Sequence, residues 1–228
     1  LYHMGKIEHK IEMDMVDVLD CLNGYDGGYD EGYTSTVEFW GKKPAELVQK
    51  AVSMLKMADV KGAVCLDLGC GHGKNAIYLA ENGFDVTAID ASYYCIKEAR
   101  NLNNIVNWKV RDMKKIKNED QKYDLIVLTG SLHCLSTVDE VNEVINKVKS
   151  STKIGGFNVI SVFNNEIQDL SGHSSKFHPL LLKHDEYIDL YKEWKIIESS
   201  NTVLHDEHLH NKIKHQHSIT RLLVQRIV

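Results

Sequence analysis

The sequence predicts an α/β fold built on a doubly wound, mostly parallel sheet. Short apolar strand patterns alternate with helical patterns from about residue 44 onward, which is typical of a parallel sheet covered on both faces. A glycine-rich turn joins the first predicted strand to a helix, and the last 34 residues contain two long strand-like segments. We therefore expect helices on both faces of the sheet and an antiparallel hairpin at its end.

Local signals support the individual elements. Pro44 suits the first turn of a helix, Ser92 is a suitable N-cap, and Gly83 suits a left-handed helix end. The segment from Asn164 to Pro179 lacks periodicity and is predicted to be a surface loop, a candidate lid. The predicted helices are 44–57, 74–81, 92–101, 138–151 and 185–192, and the predicted strands are 63–68, 84–89, 105–110, 123–129, 157–163 and two within 195–228 that turn near Asn211-Lys212.

Composition limits the domain organisation and the classes of partner. We predict an N-terminal flap over residues 1–43, where glycines at 24, 27, 28 and 32 disfavour a stable helix, and one domain over 44–228. The net charge of −5 disfavours a nucleic-acid surface, and no apolar run is long enough to cross a membrane. Five cysteines without a Cys-x-x-Cys pair indicate reduced thiols and a cytoplasmic location.

The first strand, the glycine turn and two acids indicate a nucleotide-type cofactor. Asp67 precedes Gly69, Gly71 and Gly73, and Asp90 ends the next strand, where a carboxylate suits ribose hydroxyls. A dinucleotide site favours Gly-x-Gly-x-x-Gly and an anion at the helix N-terminus. Here the third glycine comes one residue early, and the Asp67 carboxylate would repel a pyrophosphate but attract an ammonium and a sulfonium. These residues therefore indicate S-adenosylmethionine (SAM).

The motif Asp67-Leu68-Gly69-Cys70-Gly71-His72-Gly73, with Asp90, resembles the class I SAM-dependent methyltransferases from about Phe39 to the end of the chain. Segments 149–160 and 190–198 resemble their small-molecule branch, which contains the tellurite-resistance methyltransferases, with thiopurine methyltransferases as more distant relatives. The resemblance implies a Rossmann-like, seven-stranded, mostly parallel sheet with a C-terminal antiparallel hairpin. The histidine-rich hairpin departs from the family pattern, so tellurite is only one candidate acceptor.

The resemblance also implies roles by position. Asp67 would hold the ammonium group, Asp90 the ribose, Thr129 would lie near the methyl group, and Tyr33 and Trp40 would cover the cofactor. Ala91 would flank the adenine, and Asp112 and Met113 match the adenine-recognising position. Asp112 has the alternative role of a helix N-cap, Cys70 that of a packed small residue, and Asn75 that of a helix start. The predicted cofactor-binding set is Tyr33, Trp40, Asp67, Gly69, Cys70, Gly71, Asn75, Asp90, Ala91, Asp112, Met113 and Thr129.

Histidines supply the candidate catalytic groups. His133 follows the fourth strand, at the sheet edge where α/β folds bind ligands, and is predicted to contact the acceptor or act as a general base, with a scaffold role as the alternative. If Asn211-Lys212 is a two-residue turn, His208 faces His215, Asp206 faces His217, and these four share one face with His210. His208 and His215 are then further catalytic candidates. We expect no resident metal; a divalent ion on Asp206, His208, His215 and His217 is a weaker alternative, as is a plain solvent-facing surface.

The expected reaction is in-line transfer of the SAM methyl group to a small-molecule acceptor with a sulfur, selenium, tellurium, nitrogen or oxygen nucleophile. The fourth strand is not followed by an Asp/Asn-Pro-Pro-aromatic motif, and no Pro-Cys pair is present to attack a pyrimidine. An RNA or protein methyltransferase remains an alternative, favoured by a basic stripe over 109–117, as does a non-catalytic regulator that binds SAM or metal. The expected assembly is a monomer or homodimer.

Overall fold

The computed structural model describes residues 29–35, 41–208 and 211–228. Its seven strands form one sheet in the order β3-β2-β1-β4-β5-β7-β6. The strands β1 to β5 pair in parallel, and β7 lies antiparallel between β5 and β6. This confirms the predicted sheet and hairpin. The strands are β1 (Val64–Leu68), β2 (Asp85–Asp90), β3 (Asn107–Val110), β4 (Tyr123–Thr129), β5 (Thr152–Gln168), β6 (Lys195–Glu207) and β7 (Lys214–Gln225).

Helices cover the two faces of the sheet. The helices in the described part of the chain are α1 (Asp30–Ser35), α2 (Glu46–Met57), α3 (Lys74–Glu81), α4 (Tyr93–Leu102), α5 (Val138–Ser151) and α6 (His184–Asp189). The Ser92 hydroxyl accepts a hydrogen bond from the Cys95 N–H at 3.4 Å, as expected of the α4 N-cap. Within these ranges no helix combines the length and apolar character needed to span a bilayer.

The core has two layers because alternate strand side chains point to opposite faces. On one face, α2, α3 and α4 pack on the sheet, with Val48 and Ala51 fully buried. On the other face, α5 and the segment after α6 bury Val148 and Tyr191. Asp67 is also fully buried, between Leu66 and Leu68 in β1. A carboxylate is thus placed inside the fold at the carboxyl end of a central strand.

The strand β5 is longer than predicted. The expected loop from Asn164 begins inside β5, which continues to Gln168 and pairs there with His217 across an irregularity in register. Polar side chains made this part of the strand resemble a loop, but they form hydrogen bonds within the sheet. The buried Asn164 amide donates to Asn201 at 2.9 Å and Thr220 at 3.2 Å. The loop therefore starts at residue 169. The helix predicted over 185–192 is also shorter, since α6 ends at Asp189.

The prediction that Gly32 would prevent a helix near Tyr33 is wrong. Residues 30–35 form α1, and the rings of Tyr29 and Tyr33 are buried against the rest of the fold. Burial of two aromatic rings offsets the low helix propensity of glycine. Residues 1–28 and 36–40 of the predicted flap, including Trp40, lie outside the described residues, and the division at residue 43 stays a prediction.

The hairpin register differs from the predicted one by two residues. Asp206 pairs with His215 and Leu204 with His217, and the connection between the strands is longer than two residues. His208 therefore lies just beyond β6 rather than opposite His215. Because side chains repeat every two residues along a strand, this even shift leaves Asp206, His215 and His217 on one face.

Candidate functional site

The glycine loop between β1 and α3 lies at the carboxyl edge of the sheet and is tightly packed. Gly69 and Gly73 have φ values of +71° and +83°, in the left-handed region that favours glycine. A Cβ atom on Gly69 would lie 2.3 Å from the Ser131 Cβ, and one on Gly73 would lie 2.2 Å from the Trp108 ring. Both the backbone conformation and the neighbouring side chains therefore require glycine at these two positions.

The amides of this loop are used within the chain. Gly69 and Cys70 donate to the Ile89 carbonyl at 2.8 and 3.1 Å, Gly71 donates to the Asp90 carboxylate at 2.8 Å, and Gly73 donates to the Cys70 carbonyl at 2.9 Å. A phosphate-binding loop instead directs its amides at the ligand. The loop is therefore a poor pyrophosphate site, in agreement with the exclusion of a dinucleotide on sequence grounds.

The Asp67 carboxylate is the principal electrostatic feature beside the loop. It is fully buried, and neither oxygen accepts a hydrogen bond of standard geometry from the described residues. Burial and the nearby Asp90 raise its pKa to about 7, against smaller opposing effects of the Ala76 amide and Lys74. A cation that entered this site would restore the ionised carboxylate and pair with it. The residues present thus fit the ammonium group of SAM.

Asp90 is held in a defined orientation at the end of β2. Its carboxylate accepts hydrogen bonds from the N–H groups of Gly71 and Ser92, at 2.8 and 2.9 Å, and half-buried Ala91 lies between Asp90 and Ser92. The two bonds join the end of β2 to the glycine loop. The ribose contact predicted for Asp90 stays a prediction.

The predicted adenine residues lie on the next turn along the edge. The Met113 methyl group comes within 3.4 Å of the position of a Cβ on Gly69, so this side chain reaches the glycine loop. Asp112 caps the short 3₁₀ turn that begins at Met113, accepting from the Lys114 N–H at 2.9 Å, and its carboxylate lies 3.6 Å from the Lys114 ammonium. The N-cap alternative for Asp112 is therefore present in the structure, and its adenine contact stays a prediction.

The ring of Tyr33 lies over the glycine loop. It contacts the ring of His72 edge-on, with centroids 5.0 Å apart, and lies 6.2 Å from the ring of Tyr29. The covering role predicted for Tyr33 stays a prediction. Cys70 directs its thiol at the Gly71 carbonyl at 3.6 Å, and burial raises its pKa well above the usual value. That environment suits a packed, protonated cysteine.

Asn75 joins three elements through its side chain, a role that the sequence did not predict. Its amide nitrogen donates to the Thr129 hydroxyl at 2.7 Å, and its amide oxygen accepts from the Ala45 N–H at 2.9 Å. Asn75 is almost fully buried. The side chain therefore fixes the start of α2 and the end of β4 against the N-terminus of α3.

We expect Asn75→Ala to destabilise the fold by about 2–4 kcal/mol, because it leaves the Ala45 amide and the Thr129 hydroxyl without their partner. Urea denaturation would measure the change. Glu81→Ala, at an exposed position of the same helix, is the matched control and should change stability by less than about 0.5 kcal/mol. Equal stabilities of the two variants would contradict the bridging role.

A cavity of about 650 Å³ opens beside the end of β4. The start of α2 forms one wall, and parts of β5, β7 and β6 form the floor. Charges of both signs line it, and the volume falls within the range of small-molecule sites. Its lining includes Lys74, Thr129, Gly130, His133, Phe163, Asp206 and Arg221.

His133 lines this cavity but its environment opposes the predicted role of general base. Its Nδ1 accepts a hydrogen bond from the Phe163 N–H at 3.3 Å, and its ring stacks on Phe163 with centroids 4.2 Å apart. Burial and the proximity of His217 lower the pKa of His133 to about 3. The ring is thus neutral at pH 7 and carries its proton on Nε2, which has no hydrogen-bond partner among the described residues. Such a ring donates a hydrogen bond and does not accept a proton.

The hairpin histidines form a buried cluster, which we call the histidine cluster: His173, His208, His215 and His217. The hypothesis of a solvent-facing surface is wrong, since His208, His215 and His217 are at most 4% exposed. The sequence did not predict the fourth member, His173, in the loop that follows β5. Neighbouring rings stand 4.6 to 5.1 Å apart, and Asp206 lies 3.9 Å from the Nδ1 of His208. Burial and the neighbouring rings lower the pKa of His173 to about 2; burial and His215 lower that of His217 to about 4.

A comparison with known families matches residues 33–220 to the tellurite resistance protein TehB. The chain belongs to the TehB family. This confirms the predicted resemblance, and the glycine loop and His133 lie within the matched range. A curated TehB relative, the probable SAM-dependent methyltransferase TehB of Haemophilus influenzae, is 28% identical over 200 residues, which are 83% of this chain and 63% of that protein. The chain thus spans slightly less than two thirds of the length of this TehB relative.

Solved structures support the TehB-like fold. The crystal structure of TehB from Haemophilus influenzae has a TM-score of 0.62 and 22% identity, and covers 78% of this chain and 62% of that one. The 1,6-didemethyltoxoflavin N1-methyltransferase of Burkholderia thailandensis, solved with its substrate and S-adenosylhomocysteine, has a TM-score of 0.61 and 17% identity over 93% of this chain and 90% of that one. At these identities the likeness establishes the methyltransferase fold of this TehB family member.

Proposed function

We propose that this chain is a SAM-dependent methyltransferase that acts on a small-molecule acceptor with a sulfur, selenium, tellurium, nitrogen or oxygen nucleophile. The observation that supports this most directly is the fully buried Asp67 carboxylate beside a glycine loop whose amides are used internally. That combination suits a cationic cofactor and not an anionic one. The methyltransferase names of its TehB relative and structural neighbours agree with this proposal.

The proposed cofactor contacts follow the carboxyl edge of the sheet. Asp67 would pair with the ammonium of SAM, and Asp90 would accept from the ribose hydroxyls, with Ala91 beside the adenine. Met113 and Asp112 would lie on the far side of the adenine, and Tyr33 would close the site from above the glycine loop. Thr129, held by Asn75, would face the methyl group. The backbone of Gly69, Cys70 and Gly71 would border the methionine moiety.

The cavity is the proposed acceptor site. It includes Thr129 and Gly130 at the end of β4 and extends over the sheet toward Arg221, so a bound molecule would lie next to the proposed methyl position. Its volume suits a small molecule better than a folded RNA or protein. Within the basic stripe, Lys114 is paired with Asp112 and Glu140, at 3.6 and 3.2 Å, which lowers the positive charge that this residue offers to a macromolecule.

The chain would contribute mainly by positioning. SAM supplies a methyl group activated by its sulfonium, and the chain's residues bind, orient and exclude water. Holding a nucleophile in line can supply up to about 7–11 kcal/mol of the barrier reduction. Because His133 is buried in its neutral form, it would orient the acceptor by donating from Nε2. We therefore favour acceptors that are already nucleophilic near pH 7, such as thiolates and reduced chalcogen oxyanions.

Transfer of labelled methyl groups from SAM tests the proposal. We expect the purified chain to label the small-molecule fraction of a cell lysate, separated from RNA and protein by size, and Asp67→Asn to abolish that label. Label in the macromolecular fraction would contradict the acceptor class. SAM binding without label in any fraction, including with added thiols, selenite and tellurite, would favour a non-catalytic SAM-binding protein.

A further inference from the structure

Three histidines from separate segments converge next to the acceptor cavity. His173 lies in the loop after β5, His208 follows β6, and His215 lies in β7; one ring nitrogen from each falls within 4.8 Å of those of the other two. In a tetrahedral zinc site with Zn–N bonds of about 2.0–2.1 Å, ligand nitrogens stand roughly 3.3 Å apart. Shifts of about an ångström would therefore bring the three nitrogens into a coordination shell.

One hydrogen bond of His215 determines which of its ring nitrogens carries the lone pair. Its Nδ1 lies 2.7 Å from the Ile213 carbonyl, which only accepts, so Nδ1 carries the proton. The lone pair is then on Nε2, which is buried and has no hydrogen-bond partner within the described ranges. A buried acceptor in this state is costly unless a donor or a metal ion meets it.

The orientation of His173 follows from a chain of hydrogen bonds through His217. The Gln168 amide nitrogen donates to the Asn164 and Ser218 carbonyls at 2.6 and 3.0 Å, so its oxygen faces the His217 Nδ1 at 2.7 Å and accepts from it. The His217 Nε2 must then accept, and the His173 Nε2, 2.9 Å away, donates. The lone pair of His173 is therefore on Nδ1.

This arrangement matches the outer shell of a histidine metal site. Metal-binding histidines commonly donate their second N–H to a carbonyl, a carboxylate or another acceptor, which fixes the ring orientation. Here His215 donates to a backbone carbonyl and His173 to His217, while the Asp206 carboxylate lies 3.9 Å from the Nδ1 of His208. Hydrogen bonds thus orient the rings of His173 and His215, and a carboxylate lies near one nitrogen of His208.

We propose that His173, His208 and His215 bind one divalent transition-metal ion, most suitably Zn²⁺. Three neutral imidazoles are borderline-soft ligands that zinc prefers over magnesium or calcium, and they leave a fourth position open. These ligands differ from those considered on sequence grounds. His173 is added as a ligand, and Asp206 and His217 are neighbours of the ligands instead of ligands. The site does not depend on the proposed methyl transfer.

The ion would fasten the loop after β5 to the hairpin. The loop already packs closely there, since a Cβ on Gly172 would lie 2.3 Å from the His215 ring and the Asn211 amide donates to the Gly172 carbonyl at 2.7 Å. The loop residue Phe177 packs edge-on against His133, with centroids 5.8 Å apart. Metal binding would therefore stabilise the wall that His133 contributes to the acceptor cavity.

Zinc titration of the full chain, after removal of metal by a chelator, tests the proposal. We expect one zinc per chain in competition with a chromophoric chelator, and at least about 100-fold weaker binding after His173→Ala or His215→Ala. His173 is only half-buried and lies in a loop, so its variant should fold even if the His215 variant does not. His205→Ala is the matched control, because His205 is exposed and points to the opposite face of β6.

Two further readouts make the test decisive. Zinc should raise the thermal unfolding midpoint of the wild type and of His205→Ala but not that of His173→Ala. Cobalt in place of zinc should give the visible absorption of a tetrahedral site in the same two proteins. The proposal is overturned if the stripped wild type takes up no zinc at a several-fold excess. It is also overturned if folded His173→Ala binds zinc as tightly as His205→Ala.

Discussion

Replacement of Asp67 by Asn is expected to weaken SAM binding by at least about 100-fold while making the cofactor-free protein more stable. The carboxylate is fully buried, and its pKa is raised to about 7. If it pairs with the SAM ammonium, its removal leaves a buried cation without a counter-ion, which typically costs about 3–5 kcal/mol. Calorimetric titration with SAM would measure the loss.

The stability change has a defined pH dependence. The ordinary pKa of this carboxyl is 3.8, so between about pH 4 and pH 7 the folded state holds a proton that the unfolded state has lost. The contribution of this carboxyl to the stability of the cofactor-free fold is therefore most favourable below about pH 4, and it is lost as the pH rises through 7. At about 1.4 kcal/mol per pKa unit, Asp67→Asn should stabilise the cofactor-free fold by up to about 4 kcal/mol at pH 8 and by little at pH 4.

Protonation of Asp67 should also make the affinity for SAM depend on pH. If SAM pairs with the ionised carboxylate of Asp67, its affinity for the wild type should fall below pH 7 by up to about tenfold per pH unit. Asp85→Asn is the control, since Asp85 is exposed at the start of β2. An Asp67→Asn variant that binds SAM with wild-type affinity would remove the main support for the proposed cofactor site.

Substitution of Gly73 by Ala is expected to destabilise the fold by about 3 kcal/mol or more. A non-glycine residue at φ +83° costs roughly 1–2 kcal/mol, and the added Cβ would overlap the Trp108 ring at 2.2 and 2.7 Å. Overpacking of this kind adds about 1–3 kcal/mol. The Trp108 indole donates to the Asn103 carbonyl at 2.7 Å, which limits its ability to move aside. Thermal or urea unfolding would measure the total.

Gly83 offers a matched control for this experiment. It has the same φ of +83°, but a Cβ there would meet no atom within 4 Å. Gly83→Ala should therefore show the backbone cost alone, about 1–2 kcal/mol. A difference between the two variants measures the steric contact with Trp108. Equal destabilisation would mean that the ring yields without cost and that the glycine is needed only for its backbone conformation.

Local periodicity was sufficient to predict most of the fold. The bounds of α3, β4 and α5 agree with prediction because their apolar spacing is regular and their ends have recognisable caps and turns. The end of β5 was missed because Asn164 and its neighbours are polar, and their partners come from β6 and β7, far along the chain. A sequence pattern does not reveal which distant side chains will satisfy a polar strand.

The candidate site was likewise predicted only where its residues are close together in the sequence. Asp67, the glycines and Asp90 belong to one local strand–turn–helix unit, so their spacing alone predicted a common site. His173 was not predicted because it joins the hairpin histidines only through loop packing, and the role of Asn75 depends on contacts with Ala45 and Thr129. The hairpin register was missed by two residues, because its turn is longer than two residues and contains no Gly that would define it.

The order of the strands separates the two halves of the molecule. The glycine loop, Asp67 and Asp90 come from β1 and β2, whereas the cavity floor comes from β5, β7 and β6, the last strands in the chain. The strand β4 lies between these two sets of strands, and just beyond its end the Gly130 N–H donates to the Ser161 carbonyl of β5 at 2.7 Å. Substitution of floor residues such as Arg221 during evolution could therefore change the proposed acceptor while the proposed cofactor residues of β1 and β2 stay the same.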